Sequence, residues 1–306
     1  MDMPVDKERL RQDVHMLTDI DPPRNARNVA SLDRCASTIL DAFKTTRGRI
    51  DVQRFTQDGK EYKNVICSLG PEAGERIVVG AHYDVQGDQP GADDNASGVA
   101  GLLELGRLVS PRQGELDCRI DLAAYTLEEG QYVRHPIARH FGSYLHARSL
   151  SREGASVRCM ICLEMIGYFT DRPHSQRYPV PFMHRFYPDQ GNFIAVIGKW
   201  GQGRLVKRVH KAMADGSRVP VRSLTTTPLL PGVSFSDHES FWKFGYPAVM
   251  ITDSAFYRNR NYHRTSDRAD TLDYDTMAEV VKGLYWTVLQ LGSSGTAGRS
   301  QEPEMI

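Results

Sequence analysis

Residues 76–109 read RIVVGAHYDVQGDQPGADDNASGVAGLLELGRLV, and their periodicity changes part-way along. Arg76–Tyr83 is a short apolar run rich in Val and Ile, the composition of a strand. From Asn95 to Val109 the apolar residues Val99, Leu102, Leu103 and Leu105 fall on or near one side of a helix. The loop between them is rich in Gly, Pro and Asp. A strand that returns through a helix is the repeating unit of a largely parallel sheet between helical layers.

The same alternation extends in both directions. Strands are predicted at Lys63–Leu69, Ile120–Tyr125, Arg158–Leu163, Asn192–Ile197 and Ala248–Thr252, and helices at Gly203–Asp215 and Thr271–Leu291. Residues from about Lys7 to Lys44, interrupted at Pro22-Pro23, predict two amphipathic helices covering one sheet face. The expected fold is a three-layer α/β/α sandwich with a mixed, largely parallel central sheet. Residues 1–291 are read as a single domain, with the helices of 1–50 packed on it and 292–306 as a flexible tail. Asp171–Gln190, rich in Pro, His, Tyr and Arg, is expected to be a long surface loop, the kind that walls a pocket.

Composition narrows the function. Lys+Arg and Asp+Glu both number 38 in 306 residues, and no basic run or aromatic-basic stripe offers a nucleic-acid groove. No segment is apolar for long enough to span a bilayer. Five scattered cysteines do not form a disulfide framework, and the acidic, polar start lacks the pattern of a secretory leader. Together these predict a cytoplasmic protein without nucleic-acid or membrane partners.

In an open α/β sheet, functional side chains project just beyond the carboxyl ends of the strands. Here those ends carry His82-Tyr83-Asp84, Glu128-Glu129 and Glu164, with Gly91–Gly98 adding Asp93 and Asp94. Carboxylates gathered in one crevice repel one another unless a cation sits among them. Imidazole and carboxylate donors without thiolate suit zinc, and also manganese or cobalt. Each element alone has a plainer account. His82 alone reads as a hydrogen-bonded strand-end residue, Gly-Ala-Asp-Asp-Asn as a turn with a helix cap, and Glu128-Glu129 as a solvated exit.

In their order and combination these motifs resemble the co-catalytic zinc exopeptidase family of leucyl-type aminopeptidases, glutamate carboxypeptidase and glutaminyl cyclases. The resemblance covers about Lys63 to Leu291. It is carried by His-Tyr-Asp at 82–84, Gly-Ala-Asp-Asp-Asn-Ala-Ser-Gly at 91–98, Glu-Glu at 128–129, Glu-Met-Ile-Gly-Tyr at 164–168, Ser-Asp-His at 236–238 and Tyr-His at 262–263. It implies a zinc exopeptidase-like domain with two zinc ions, His82 and Glu164 binding one, Glu129 and His263 the other, and Asp94 bridging both. It further implies Glu128 as general base, Asp84 as the residue orienting His82 through its second ring nitrogen, and Tyr262 as a hydrogen-bond donor to a developing oxyanion.

The implied reaction is amide hydrolysis, foremost by a di-zinc aminopeptidase acting on peptides or small amino-acid conjugates. Two departures keep alternatives open. Glu164 stands where hydrolytic members usually have Asp, lengthening that ligand's reach by roughly 1.5 Å. Gly130–His135 intervenes before Gly142-Ser143, so the substrate pocket is expected to differ. A single-zinc glutaminyl cyclase-like acyltransferase and a specialised small-molecule amidohydrolase therefore remain, and a non-catalytic binding domain ranks below them because no ligand type is missing. Cys159 and Cys162 read as buried small hydrophobes, His238 and Asp253 as supporting residues, and the arginines of 258–264 chiefly as solvated loop residues.

Overall fold

The computed structural model describes residues 5–129 and 141–293. Eight strands form one sheet: β1 (Arg49–Gln57), β2 (Lys60–Leu69), β3 (Arg76–His82), β4 (Arg119–Tyr125), β5 (Val157–Glu164), β6 (Ile194–Lys199), β7 (Val221–Thr226) and β8 (Ala248–Thr252). Their order is β1-β2-β4-β3-β5-β8-β6-β7. The pairs β4–β3, β3–β5, β5–β8 and β6–β7 are parallel, while β1–β2, β2–β4 and β6–β8 are antiparallel. The sheet is thus mixed with a parallel centre, as the sequence predicts.

Among the described residues seven α-helices cover it: α1 (Lys7–Thr18), α2 (Val29–Lys44), α3 (Gly98–Val109), α4 (Phe141–Arg152), α5 (Gly203–Gly216), α6 (His238–Lys243) and α7 (Tyr274–Gly292). Successive side chains of a strand face opposite ways, and β3 divides accordingly. Ile77, Val79 and Ala81 join the larger core beneath α1, α2, α3, α5 and α7, whereas Val78 joins the smaller core beneath α4 and α6. The two opening helices behave as their spacing predicts. Leu10, Val14 and Leu17 of α1 are fully buried, and Asp6 caps that helix by accepting from the amides of Glu8 and Arg9.

Four elements were not expected from the sequence. β1 and β7 are the two edge strands, and their half-exposed residues mix charge with apolar side chains, which weakens the strand pattern. α4 and the six-residue α6 lie between predicted strands. One boundary also moves. The helix expected from Asn95 begins at Gly98, because Asp94 (φ −104°, ψ 89°) and Asn95 (φ −132°, ψ 39°) lie in an irregular turn. The stretch 130–135 and, beyond Ser293, the expected tail 292–306 fall outside the described residues. Among the described residues no helix is long and apolar enough to cross a membrane.

Between α1 and α2 lies Arg24, only 1% exposed. Its guanidinium donates to the carbonyl oxygens of Tyr83 (2.8 Å), Leu17 (3.2 Å) and Gly91 (2.7 Å), and to that of Pro90. One side chain from the amino-terminal segment therefore satisfies main-chain acceptors at the end of α1 and at both ends of the loop that leaves β3.

Candidate metal centre

The parallel neighbours β4, β3 and β5 end side by side, which brings residues distant in sequence into one crevice. His82 closes β3, Glu164 closes β5, and Glu128 and Glu129 follow β4. Asp94 comes from the irregular turn after β3, and His263 from the loop after β8. His82 Nε2 lies 3.4 Å from Asp94 Oδ1 and 3.4 Å from Glu164 Oε2. His263 Nε2 lies 3.1 Å from Asp94 Oδ2 and 3.3 Å from Glu129 Oε1. All five expected ligands are thus together, in two groups that share Asp94, with the ligand atoms of each group within 4.8 Å of one another.

The 91–98 segment is built to hold that shared carboxylate still. Gly91 takes a left-handed φ of 63°, and a Cβ there would meet the Asp94 carbonyl at 2.3 Å. Asp267 accepts from the amides of Asp93 and Asp94 at 2.9 and 3.1 Å. Asp93 accepts from Gly167 N and Asn259 Nδ2, Asn95 bridges Leu163 O, Met165 N and Gly98 N, and Ser97 Oγ accepts from Ile166 N. The peptide bond between Asp94 and Asn95 is cis. Leu127, Met165 and His263 take left-handed φ of 60°, 53° and 57°, a conformation costing about 1–3 kcal/mol each for non-glycine residues. Each of them is, or adjoins, an expected site residue.

Against this satisfied scaffold, His82 Nε2 and both Asp94 carboxylate oxygens are buried without a hydrogen-bond partner. An uncompensated buried polar atom costs about 1–3 kcal/mol, more when charged. The surrounding groups are pushed in matching directions. Burial, and then the Asp94 charge, raises Glu129 to about 8, and burial foremost pushes Glu128 well above the carboxylate range. For His263 burial opposes charge, yet the adjacent carboxylates of Asp94 and Glu129 lift it to about 10. Carboxylates driven toward protonation and an imidazole driven toward charge mean that the cluster calls for added positive charge. Imidazole and carboxylate donors fit zinc there.

Glu128 sits against the first group, its Oε2 3.8 Å from His82 Nε2. Asp84 reaches the centre by a different connection from the one its spacing suggests. The nearest atom to His82 Nδ1 is the Asp84 carbonyl oxygen, at 3.1 Å, with the carboxylate at 3.7 Å. That carboxylate accepts instead from the backbone amides of Glu128 and Glu129, both at 3.1 Å, so Asp84 fixes the turn carrying both glutamates. Tyr262 stacks on His263, ring centroids 3.7 Å apart, and burial holds its hydroxyl protonated. Arg258 is buried, donating to Gln176 Oε1 and lying over the Phe193 ring, and so departs from the solvated-arginine expectation. Asp253 accepts from Tyr168 N and Ala255 N, and His238 bonds the Val233 carbonyl, both as supporting residues.

Sequence reasoning missed Asp267, Asn259, Arg24 and the role of Ser236, whose partners are all distant along the chain. Ser236 Oγ donates to Glu164 Oε2 at 2.6 Å and lies 3.1 Å from Cys162 Sγ. Burial keeps that thiol protonated, so Cys162 donates to Ser236 while Ser236 donates to Glu164. Cys159 belongs to the opposite core, and the two cysteines form no pair. Replacing Ser236 by Ala is expected to weaken zinc affinity of the His82–Glu164 group by about 10- to 100-fold. Calorimetric zinc titration reads this directly, and an unchanged affinity would show that Ser236 does not hold Glu164 for metal.

A partly open cavity lies beside Glu164 and Tyr262. Phe193, Ala195 and Ile197 pave it from the sheet, and Tyr178, Met183 and Tyr187 of the long 171–190 segment wall it. The wall is anchored: Arg177 N donates to Tyr257 O, and Tyr187 Oη to Ser223 O.

Comparison with known proteins places these features in context. The profile of peptidase family M28 matches residues 64–287. An Escherichia coli (strain K12) protein, the uncharacterized YfbL, is 43% identical over 288 residues, covering 90% of this chain and 86% of that protein. Leucine aminopeptidase 1 of Leptosphaeria maculans is 26% identical over 233 residues, covering 71% of this chain but only 52% of that relative. Among solved structures, a Bacteroides thetaiotaomicron glutaminyl cyclase bound to N-acetylhistamine superposes with a TM-score of 0.69 at 20% identity, covering 94% of this chain and 98% of that one. This last likeness concerns the fold.

Proposed function

The chain belongs to peptidase family M28, and from that premise we propose that it is a di-zinc aminopeptidase removing the amino-terminal residue from short peptides or small amino-acid conjugates. The observation that carries this reading is the pair of ligand groups sharing Asp94, whose two carboxylate oxygens are buried and otherwise unpartnered. His82 and Glu164 would hold one ion, Glu129 and His263 the other, with Asp94 common to both. Zinc bound there supplies Lewis acidity, polarising a carbonyl oxygen and acidifying water.

The chain's own residues do the rest. Glu128, its backbone fixed by Asp84, holds on its carboxylate the proton taken from the attacking water and returns it to the leaving amine. Burial raises the proton affinity of that carboxylate, which favours its accepting the proton from water. Tyr262, a protonated hydroxyl at the mouth of the cavity, offers a hydrogen bond to the developing oxyanion. The aromatic walls exclude water from the bound substrate.

Elemental analysis of gently purified protein, paired with turnover of aminoacyl amides before and after chelation, tests the reading. Near two zinc per chain and chelator-sensitive release of amino acid are expected. One zinc per chain with ammonia release from an amino-terminal glutaminyl peptide would replace it with cyclase chemistry, and no metal with no turnover would leave a binding scaffold.

A further inference from the structure

The cavity beside the metal centre carries more information than its apolar walls. Its residues include two guanidinium groups, Arg177 on the long 171–190 wall and Arg222 on β7, while the only acidic side chain lining it is Glu164 at the metal end. Among the described residues neither arginine lies within 4.0 Å of a carboxylate. Each spends one donor on the main chain, Arg177 on Phe256 O and Arg222 on Val221 O, both at 3.1 Å. A guanidinium has five N–H donors in a planar fork suited to carboxylate. The two segments that carry them are joined by Tyr187, which bonds the Ser223 carbonyl next to Arg222.

Two guanidinium groups without a carboxylate partner and the carboxylate of Glu164 thus line one aromatic cavity. Resting on the hydrolase reading above, we propose that Arg177 and Arg222 read a negative charge on the apolar part of the substrate. The favoured class is short peptides whose apolar carboxyl-terminal residue keeps its free carboxylate. The reacting amide lies at the metal end, the apolar side chain against Tyr178, Tyr187 and Phe193, and the carboxylate at the arginines. Arg222 is half-buried, which strengthens its share of that charge pair relative to water, whereas Arg177 is exposed and adds a weaker, screened contribution.

The test compares the dipeptide Leu-Phe with its carboxyl-terminal amide. About tenfold higher kcat/KM for the free acid is expected, expressed in KM rather than kcat. Arg222→Gln and Arg177→Gln are expected to shrink that preference toward unity, Arg222→Lys to restore part of it, and the amide to keep its kcat within about twofold in all three. Equal use of acid and amide, or a preference that survives both Gln variants, overturns the proposal while leaving the hydrolase intact. If neither peptide is cleaved, the hydrolase reading fails. Calorimetric binding of the same two peptides to the zinc-loaded protein and its Gln variants then decides the arginine proposal: arginine-dependent preference for the acid upholds it, and arginine-independent binding overturns it.

Discussion

With Glu128 replaced by Gln, kcat falls by about 100- to 10,000-fold while zinc content stays that of the parent; this is the expected result of removing a general base and nothing else. Gln matches Glu in shape but cannot hold a proton. The backbone amide of Glu128 that donates to Asp84 is untouched by the change, so the turn and the neighbouring ligand Glu129 keep their places. Glu128 belongs to neither ligand group, which is why metal content should not follow activity. Activity within tenfold of the parent, with zinc retained, would remove Glu128 from the proton path. Loss of zinc together with activity would instead make it a ligand.

The second large effect is expected at Asp94. Asp94→Asn weakens one carboxylate oxygen contact in both groups at once, so both zinc positions should empty and turnover fall below detection, whereas Glu129→Gln should spare the group of His82 and Glu164. Stability should fall with and without metal. Metal that binds the folded chain alone at a thousand times its Kd adds about 4 kcal/mol, and Asp94→Asn should forfeit that gain. In chelator the variant is expected to melt lower than the parent as well, because, against the effect of burial, His263 and His82 hold the Asp94 carboxyl well below the usual carboxylate range, and removing one partner of a buried charge pair is costly. Thermal melts with and without zinc read both arms. A variant that keeps its zinc-induced shift would mean that Asp94 is not the shared ligand.

The parts of this protein legible from sequence are those in which chemistry and local structure coincide. His82, Glu129 and Glu164 sit where an apolar run stops, so strand periodicity located them along one sheet edge before any pairing was known. The sheet's parallel centre followed from the same alternation. What the sequence concealed depends on neighbours far along the chain. Edge strands β1 and β7 have one unpaired side and lack a clean alternation. Asp84 looks by spacing like a partner for the ring two residues earlier, yet its carboxylate is captured by amides 44 and 45 residues away. Arg177 and Arg222 belong to segments with no periodic pattern that meet through Tyr187 and Ser223. Arg258, counted among loop arginines, turned inward because Gln176 and the rings of Phe169 and Phe193 receive it.

Arg24 bears on how this protein can be cut. The family match begins at residue 64, which invites a trimmed version starting near there. Such a fragment would strip three carbonyl acceptors, those of Tyr83, Pro90 and Gly91 in the loop between His82 and Asp94, of their shared donor. The first 44 residues are therefore not a detachable ornament. A fragment that begins ahead of α1, and so keeps Arg24, is expected to hold its zinc where one that begins near residue 64 does not.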